Sequence, residues 1–484
     1  MSNLGQKLDS NNSWIKLADR IPWDEFSKIY NKSLKKDFGR PAKDARLVIG
    51  AMIIKHKKGL PDEDVIPEIQ MNPYYQYFVG LKAFTHQPIF DPSLFVTLRK
   101  RLGKDAFEAL NHSFIEEVTQ IEREEKKAKR LKGKKKSDDD SDTSDSLSHH
   151  GQLIIDAVVA PQEIKHPTDL NLLNDAREHT ERLIDLLWES EPGKRKPRTY
   201  RRKARKEYLS IIKKKRKPQN QLRAAIRGQL NYLRRNIKTI KGLLHPYSGG
   251  PLPFDRQDLK LWWVIQELYR QQRIMHESDT HSIKDRIVNL RQPHVRPIVR
   301  GKAGRDTEFG AKLSCSLVDD YVYLDHLDWN AFNESQDLMD QVKRYYERFG
   351  FYPESVLVDH IYGTRENRQK LKELGIRFCG KQLGRPPKRT PAQKRALRKE
   401  LAIRNRIEGK FGEGKRKYQL DCVQTKLQDT SESWIANVLF VMNLAAWMRA
   451  DIFLPIFNWA KKHHISLFEI VKEQSNAEIA LSCP

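Results

Sequence analysis

The run QLIIDAVVA at 152–160 is short, apolar and rich in β-branched residues, the pattern of a buried strand. The next strand-like run, FGAKLSCSLVDD, starts only at Phe309, and residues 162–300 between them read as mostly helical. A sheet that holds both runs must let this whole block loop out after its first strand. Further on come YVYLDHLDW as the second half of a strand pair, a helix over about Ser335–Phe349, the strand SVLVD, a helix over Thr364–Leu374, the strand IRFCG and a long helix from Pro391 to Phe411. Strands first, then strands alternating with helices, predict an α/β domain.

The block that must loop out is also the most basic part of the chain. Residues 194–238 hold nineteen Lys or Arg against one acid, Glu207, and so carry most of the formal net charge of +26. Leu222, Ile226, Leu230, Leu233 and Ile237 are spaced as one apolar helix face, so the block is an amphipathic helical element and not a random charge run. Such a charge favours a polyanionic partner, nucleic acid ahead of a membrane surface, because neutralised phosphates release counterions. A solvated arm used in dimer contact is the plainer reading. The four cysteines form no CxxC pair, so neither a disulfide framework nor a structural zinc site is indicated, which fits a reducing compartment. The N-terminus has no basic segment followed by an apolar one. The most apolar stretch, Trp434–Met448, is too short to span a bilayer, contains Asn437 and Asn443, and reads as a buried core helix.

Ahead of the α/β region, residues 1–122 predict a helical domain of helix-turn-helix type. One helix of PAKDARLVIGAMIIKHKKG ends at Gly59; a second starts near Pro61 with Asp62, Glu63 and Asp64 in its first turn; a third starts at Asp91-Pro92 and stops at Gly103; Phe107, Leu110, Phe114 and Val118 mark a fourth. Residues 123–150, a lysine block followed by SDDDSDTSDS, cannot bury a core and predict a disordered linker. The catalytic candidate region is then 151–161 with 301–450, the insertion 162–300, and a helical tail 451–484.

Three acids stand out. Asp156 lies inside LIIDAVVA, where a carboxylate is expensive unless compensated. Asp359 ends VLVD at a strand carboxyl end, where sites in α/β sheets gather. Adjacent aspartates repel unless a cation stands between them, and hard oxygen ligands suit Mg²⁺ or Mn²⁺. Glu408 sits on the long helix in RNRIEGKFGEGKRKY, with Gly409, Gly412 and Gly414 leaving room for a phosphate backbone and Lys410, Lys415, Arg416 and Lys417 to meet it. Taken singly, each aspartate reads better as a strand-end turn cap, and Glu408 as an i,i+4 partner of Arg404. Gly409–Lys415 mimics a P-loop, but Arg416 stands where Ser or Thr is needed and a helix precedes it in place of a strand. His149, His150, His463 and His464 read as solvent-facing, His360 as turned away from Asp359, and Asp325, Asp306 and Glu308 as ambiguous.

The order Asp156, Asp359, Glu408 on strand, strand and helix resembles the DDE transposases of bacterial insertion sequences. In that family the last acid lies in Tyr-x2-Arg-x3-Glu-x6-Lys; Arg404, Glu408 and Lys415 match those spacings, and Leu401 replaces the tyrosine. Asn367 stands eight positions after Asp359, as an asparagine often does in the family. The segments IIDAVVAPQEIKHPTDLNLLNDARE, RGKAGRDTEFGAKL and DTSESWIANVLFVMNLA are also similar to the family's, as is the helical N-terminal segment. The resemblance implies an RNase H-like core whose Asp156, Asp359 and Glu408 hold two Mg²⁺ or Mn²⁺ ions, cleaving transposon ends and transferring the freed strand to target DNA. It implies DNA contacts by Arg404, Lys415, Lys410, Arg416 and Asn367, recognition of terminal inverted repeats by the N-terminal helices, at least a homodimer in the working complex, no membrane, and a bacterial cytoplasmic location. A catalytically inactive relative acting as a repressor, or a structure-specific nuclease on the same fold, is the alternative.

Overall fold

The computed structural model describes residues 8–34, 41–133, 149–189, 196–247, 249–299, 307–384 and 390–462, with side chains left out for 122–133 and 450–462. The Ser/Asp-rich half of the expected linker, Asp306 and the pair His463–His464 lie outside the described residues.

Six helices come first: α1 (Ser13–Arg20), α2 (Trp23–Lys32), α3 (Ala45–Lys58), α4 (Asp62–Met71), α5 (Pro73–Phe78) and α6 (Leu94–Gly133). Gly59 closes α3 in the left-handed region at φ 68°, and Gly103, at φ 64°, breaks α6 where the sequence places a stop. Past that break α6 runs on to Gly133, so the linker does not begin at residue 123. The segment IEREEKKAKRLK holds no Gly or Pro and is rich in strong helix formers, which lets helix propagate through it.

The sheet has β1 (Gln152–Pro161) at its centre, β3 (Thr307–Val318) antiparallel on one side, and β5 (Ser355–Leu357) then β6 (Arg377–Cys379) parallel on the other. The far edge of β3 pairs with β4 (Tyr321–Asp328) and with a short strand, β2 (Arg296–Val299), that has no signal in the sequence. Asp319 and Asp320, both at positive φ, make the two-residue turn between β3 and β4. Helices α11 (Leu338–Phe349), α12 (Arg365–Glu373) and α13 (Pro391–Lys417) follow the strands, and α14 (Gln428–Lys462) is the last element among the described residues.

Between β1 and β2 the chain leaves the sheet. It forms α7 (Asp169–Glu189), α8 (Arg201–Ile212), α9 (Gln219–Leu244) and α10 (Arg256–Glu277), which gather their own apolar core. Leu230, Leu233 and Ile237 are buried there, Ile226 packs against them and Leu222 is half-buried, while Lys213 to Lys217 are all exposed.

The N-terminal helices are not a separate module. Their apolar side chains join those of the sheet and α14 in one continuous core. Asn443 on α14 ties the parts together: its amide donates to Asn111 Oδ1 on α6 at 2.8 Å and to Val322 O on β4 at 2.7 Å, and its carbonyl accepts from Val322 N at 2.8 Å. The helix read as buried core is buried, and among the described residues no helix is long and apolar enough to cross a membrane.

Candidate active site

Strand register places side by side the two strands that lead to the first two acids. Ile154 pairs with Leu357 at the end of the parallel β1–β5 ladder; Asp156 lies two residues further along β1, and Asp359 two residues beyond the end of β5. β5 ends at Leu357 while β1 runs on to Pro161, which opens the edge of β1 beside Asp156. The chain after β5 turns into a short 3-10 segment, His360–Tyr362, capped by the Asp359 carboxylate, which accepts from His360 N at 2.7 Å. That turn swings His360 back onto its neighbour: Nδ1 lies 3.1 Å from Asp359 Oδ1. The opposite-face position expected of His360 holds only where strand alternation continues, and here it has ended.

Helix α13 crosses β1 and β5 and carries Glu408 and Arg404. Arg404 NH2 donates to Glu408 Oε1 at 2.7 Å, and its NH1 stands 3.9 Å from Asp359 Oδ1. The environments of the aspartates diverge. Burial pushes the Asp156 carboxyl up to about 6; the Ala157 amide opposes this, and the charges of Glu334 and Glu408 add to it. Asp359 is held below the ordinary carboxylate range: burial would raise it, but the His360 amide and ring and the Arg404 charge outweigh that.

Asp156 is half-buried, and carboxylate oxygens are the hard donors that a divalent cation takes. Among the described residues, however, no three His, Cys, Asp or Glu side chains stand close enough to hold an ion. The third ligand expected from the sequence is turned onto Arg404, a nearer cation on its own helix.

The flanking residues separate into different roles. Lys415 reaches Glu308 Oε1 at 3.4 Å, and Arg416 is exposed and donates to Gly412 O of its own helix. Lys410 is half-buried on another side of α13, toward Asp320, Glu413 and Arg449, and its ammonium is lowered chiefly by burial. Asn367 is buried, with its amide committed to Ser335 O at 2.8 Å and Tyr362 O at 3.0 Å, so it pins two loops together where a DNA contact was expected. Gly414 is a packing position: a Cβ there would meet Met442 Sδ of α14 at 2.8 Å. Residues 409–415 are helical throughout, which excludes a phosphate loop. Asp325 is buried in a network with Arg348, Ser316 and Gln341, and His149 is half-buried, bonded to Leu374 O and stacked on Tyr352.

One acid near Asp156 escaped the sequence reading. Glu334 lies in the turn before α11, paired with Lys312 of β3 at 2.8 Å. An acid in a polar turn carries no signal of its own; only the fold brings it to the site.

Residues 356–445, which hold Asp359, Glu408 and the helices behind them, match the family described as "Transposase DDE domain". Residues 2–101 match the family described as "Transposase domain (DUF772)". The chain belongs to the insertion-sequence transposases. Among curated proteins, this transposase is similar to the "Uncharacterized protein ORF8 in nfe locus" of Rhizobium meliloti, 30% identical over 158 residues, which is 33% of this chain and 66% of that protein. No solved structure matches the chain. The two family matches lie on opposite sides of the insertion, so the transposase joins a helical N-terminal region to a mixed α/β region through a part of the chain that neither family describes.

Proposed function

We propose that this transposase cleaves DNA at the ends of its element and joins the freed 3′ ends to target DNA, on an RNase H-like core with Asp156, Asp359 and Glu408 as ligands of two Mg²⁺ or Mn²⁺ ions. The observation that carries this reading is the packing of α13, which bears Glu408, across the paired strands β1 and β5 that lead to Asp156 and Asp359. When bound, two such ions supply charge to the attacking and leaving oxygens of an in-line displacement.

The chain's own residues do the rest. Arg404, released from the acids, presents a planar fork suited to a phosphate beside the scissile bond, and Lys415 adds a point charge about three turns further along α13. The exposed Lys213, Lys214, Lys215, Arg216 and Lys217 and the outward Arg and Lys of α8 and α9 hold the DNA backbone without reading its sequence. The N-terminal helices read the terminal inverted repeats. Because they share a core with the sheet, end recognition and the active site move as one body. Two ends cut and joined together call for a homodimer.

Incubation with labelled inverted-repeat DNA, with and without Mg²⁺, tests the reading. Mg²⁺-dependent nicked and joined products are expected. Binding without nicking would make the chain a DNA-binding relative, and nicking without joining a nuclease.

A further inference from the structure

We propose that the first part of α13, residues 391–399, is a surface for duplex DNA, on which Lys394, Arg395, Arg398 and Lys399 hold the phosphate backbone that leads away from Glu408. This deepens the reading of Glu408 as a group at the scissile phosphate, and rests on it.

Only the second half of α13 is anchored in the core. Its buried residues are Ile407, Phe411 and Gly414, whereas from 391 to 399 every residue is exposed except the half-buried Leu397. Local rules, not packing, carry the helix out into solvent. Pro391 stands in the first turn, and Thr390 and Gln393 cap each other's backbone, at 3.3 Å from Gln393 N to the Thr390 hydroxyl and 3.0 Å from Thr390 N to Gln393 Oε1. The run QKRALRKELA holds strong helix formers throughout.

The charge on this segment is not there for the helix. Residues 391–399 hold four cations and no acid, and among the described residues none of the four pairs with an acid. The next acid, Glu400, is taken by Arg377 of β6. Lys394 with Arg398, and Arg395 with Lys399, are like charges four residues apart, which repel. Cations near a helix start also oppose the helix dipole. Both effects weaken the helix, and both are relieved by a polyanion laid along it. A second copy of the same face would be repelled.

The row of side chains points to which polyanion. Lys394, Arg398, Leu401, Asn405 and Glu408 follow one another at alternating spacings of four and three, and so share one helix face. That face is open along its length: Leu401 is 49% exposed, and Arg398 and Asn405 are exposed with it. From Lys394 to Glu408 the helix rises about 21 Å, the length of about six base pairs. A duplex whose scissile phosphate lies at Glu408 therefore continues onto Arg398 and Lys394. Contacts of this kind fix the path of the DNA without reading its sequence.

The test is binding of the full chain to inverted-repeat duplex in EDTA, by fluorescence anisotropy over a range of salt, with a hydroxyl-radical footprint of the complex. No metal is present, so the result stands apart from the assignment of cation ligands. In the variant with Lys394→Gln, Arg395→Gln, Arg398→Gln and Lys399→Gln, the slope of log K against log salt should become shallower by about two to four. Protection of about six base pairs beside the terminal phosphate should be lost, while protection further into the repeat remains. A wild-type slope, or a footprint intact beside the terminal phosphate, overturns the proposal and leaves DNA binding standing. If the wild type binds no duplex, the DNA reading fails and takes this proposal with it. Should the fourfold variant not fold by circular dichroism, Lys394→Gln with Arg398→Gln gives the same readouts, and a slope shallower by about two is then expected.

Discussion

Arg404 and Glu408 face each other one turn apart on α13, joined at 2.7 Å, with the same guanidinium 3.9 Å from Asp359. One side chain thus supplies a resident cation to two of the three candidate ligands, and its charge also acts on Asp156. A divalent ion entering the site competes with it. Arg404→Gln is expected to bind Mn²⁺ more tightly than the wild type in the absence of DNA. The same variant should cut end DNA about 10–100-fold more slowly, the equivalent of roughly 1.5–3 kcal/mol for a lost charged hydrogen bond. Equal or weaker Mn²⁺ affinity would refute the competition.

Asp156 makes the free protein sensitive to pH. Its folded-state carboxyl is raised from 3.8 to about 6, so the folded chain holds the proton more tightly than the unfolded chain does. Stability is then lost as pH rises from about 4 to about 6, and above that the full penalty, about 3 kcal/mol, remains. Asp156→Asn should therefore raise the melting temperature at pH 8 and change it little at pH 4, and added Mg²⁺ should raise that of the wild type at pH 8. The same shift in Tm at both pH values would show that the carboxylate is not under strain.

Removal of any one ligand should separate binding from chemistry. Asp156→Asn, Asp359→Asn and Glu408→Gln are each expected to abolish strand cleavage, with end binding in a mobility-shift assay close to wild type. Full cleavage by one of them removes that residue from the ligand set.

Asn367 gives a finer separation. Its buried amide spans Ser335 and Tyr362, so Asn367→Ala should slow cleavage about tenfold, in line with the loss of an outer-shell partner, without weakening DNA affinity. A drop in DNA affinity with an unchanged cleavage rate would restore the direct DNA contact read from the sequence.

Asn443 tests the shared core. Asn443→Leu would leave Val322 N unpaired and remove donors from Val322 O and Asn111, at a cost of roughly 1–3 kcal/mol for each buried group left unsatisfied. One melting transition at lower temperature is expected. A wild-type Tm would mean that α6, β4 and α14 do not depend on this junction.

Much of the fold is legible in the sequence because local rules govern it. β1 follows from its apolar β-branched run, and the C-terminus of α3 from Gly59. The insertion's core follows from helical spacing at Leu230, Leu233 and Ile237. The short edge strand β2 was not legible, because four residues with one buried apolar side chain have no period to detect. The linker boundary failed for a related reason: composition marked where a core could not form, while helix propensity alone carried α6 to Gly133.

For the site, the sequence by itself determined the acids and the order of their elements, since a carboxylate in an apolar strand and an Arg–Glu–Lys spacing on a helix are local facts. The tertiary structure decided who their neighbours are. The β1–β5 ladder pairs the strands that lead to Asp156 and Asp359, the end of β5 turns His360 onto Asp359, α13 lays Arg404 across both Asp359 and Glu408, and the fold lets the charge of Glu334 act on Asp156. Each of these joins groups far apart in the chain or on different elements, and the electrostatic energy depends on their separation in space, which no spacing along the sequence encodes.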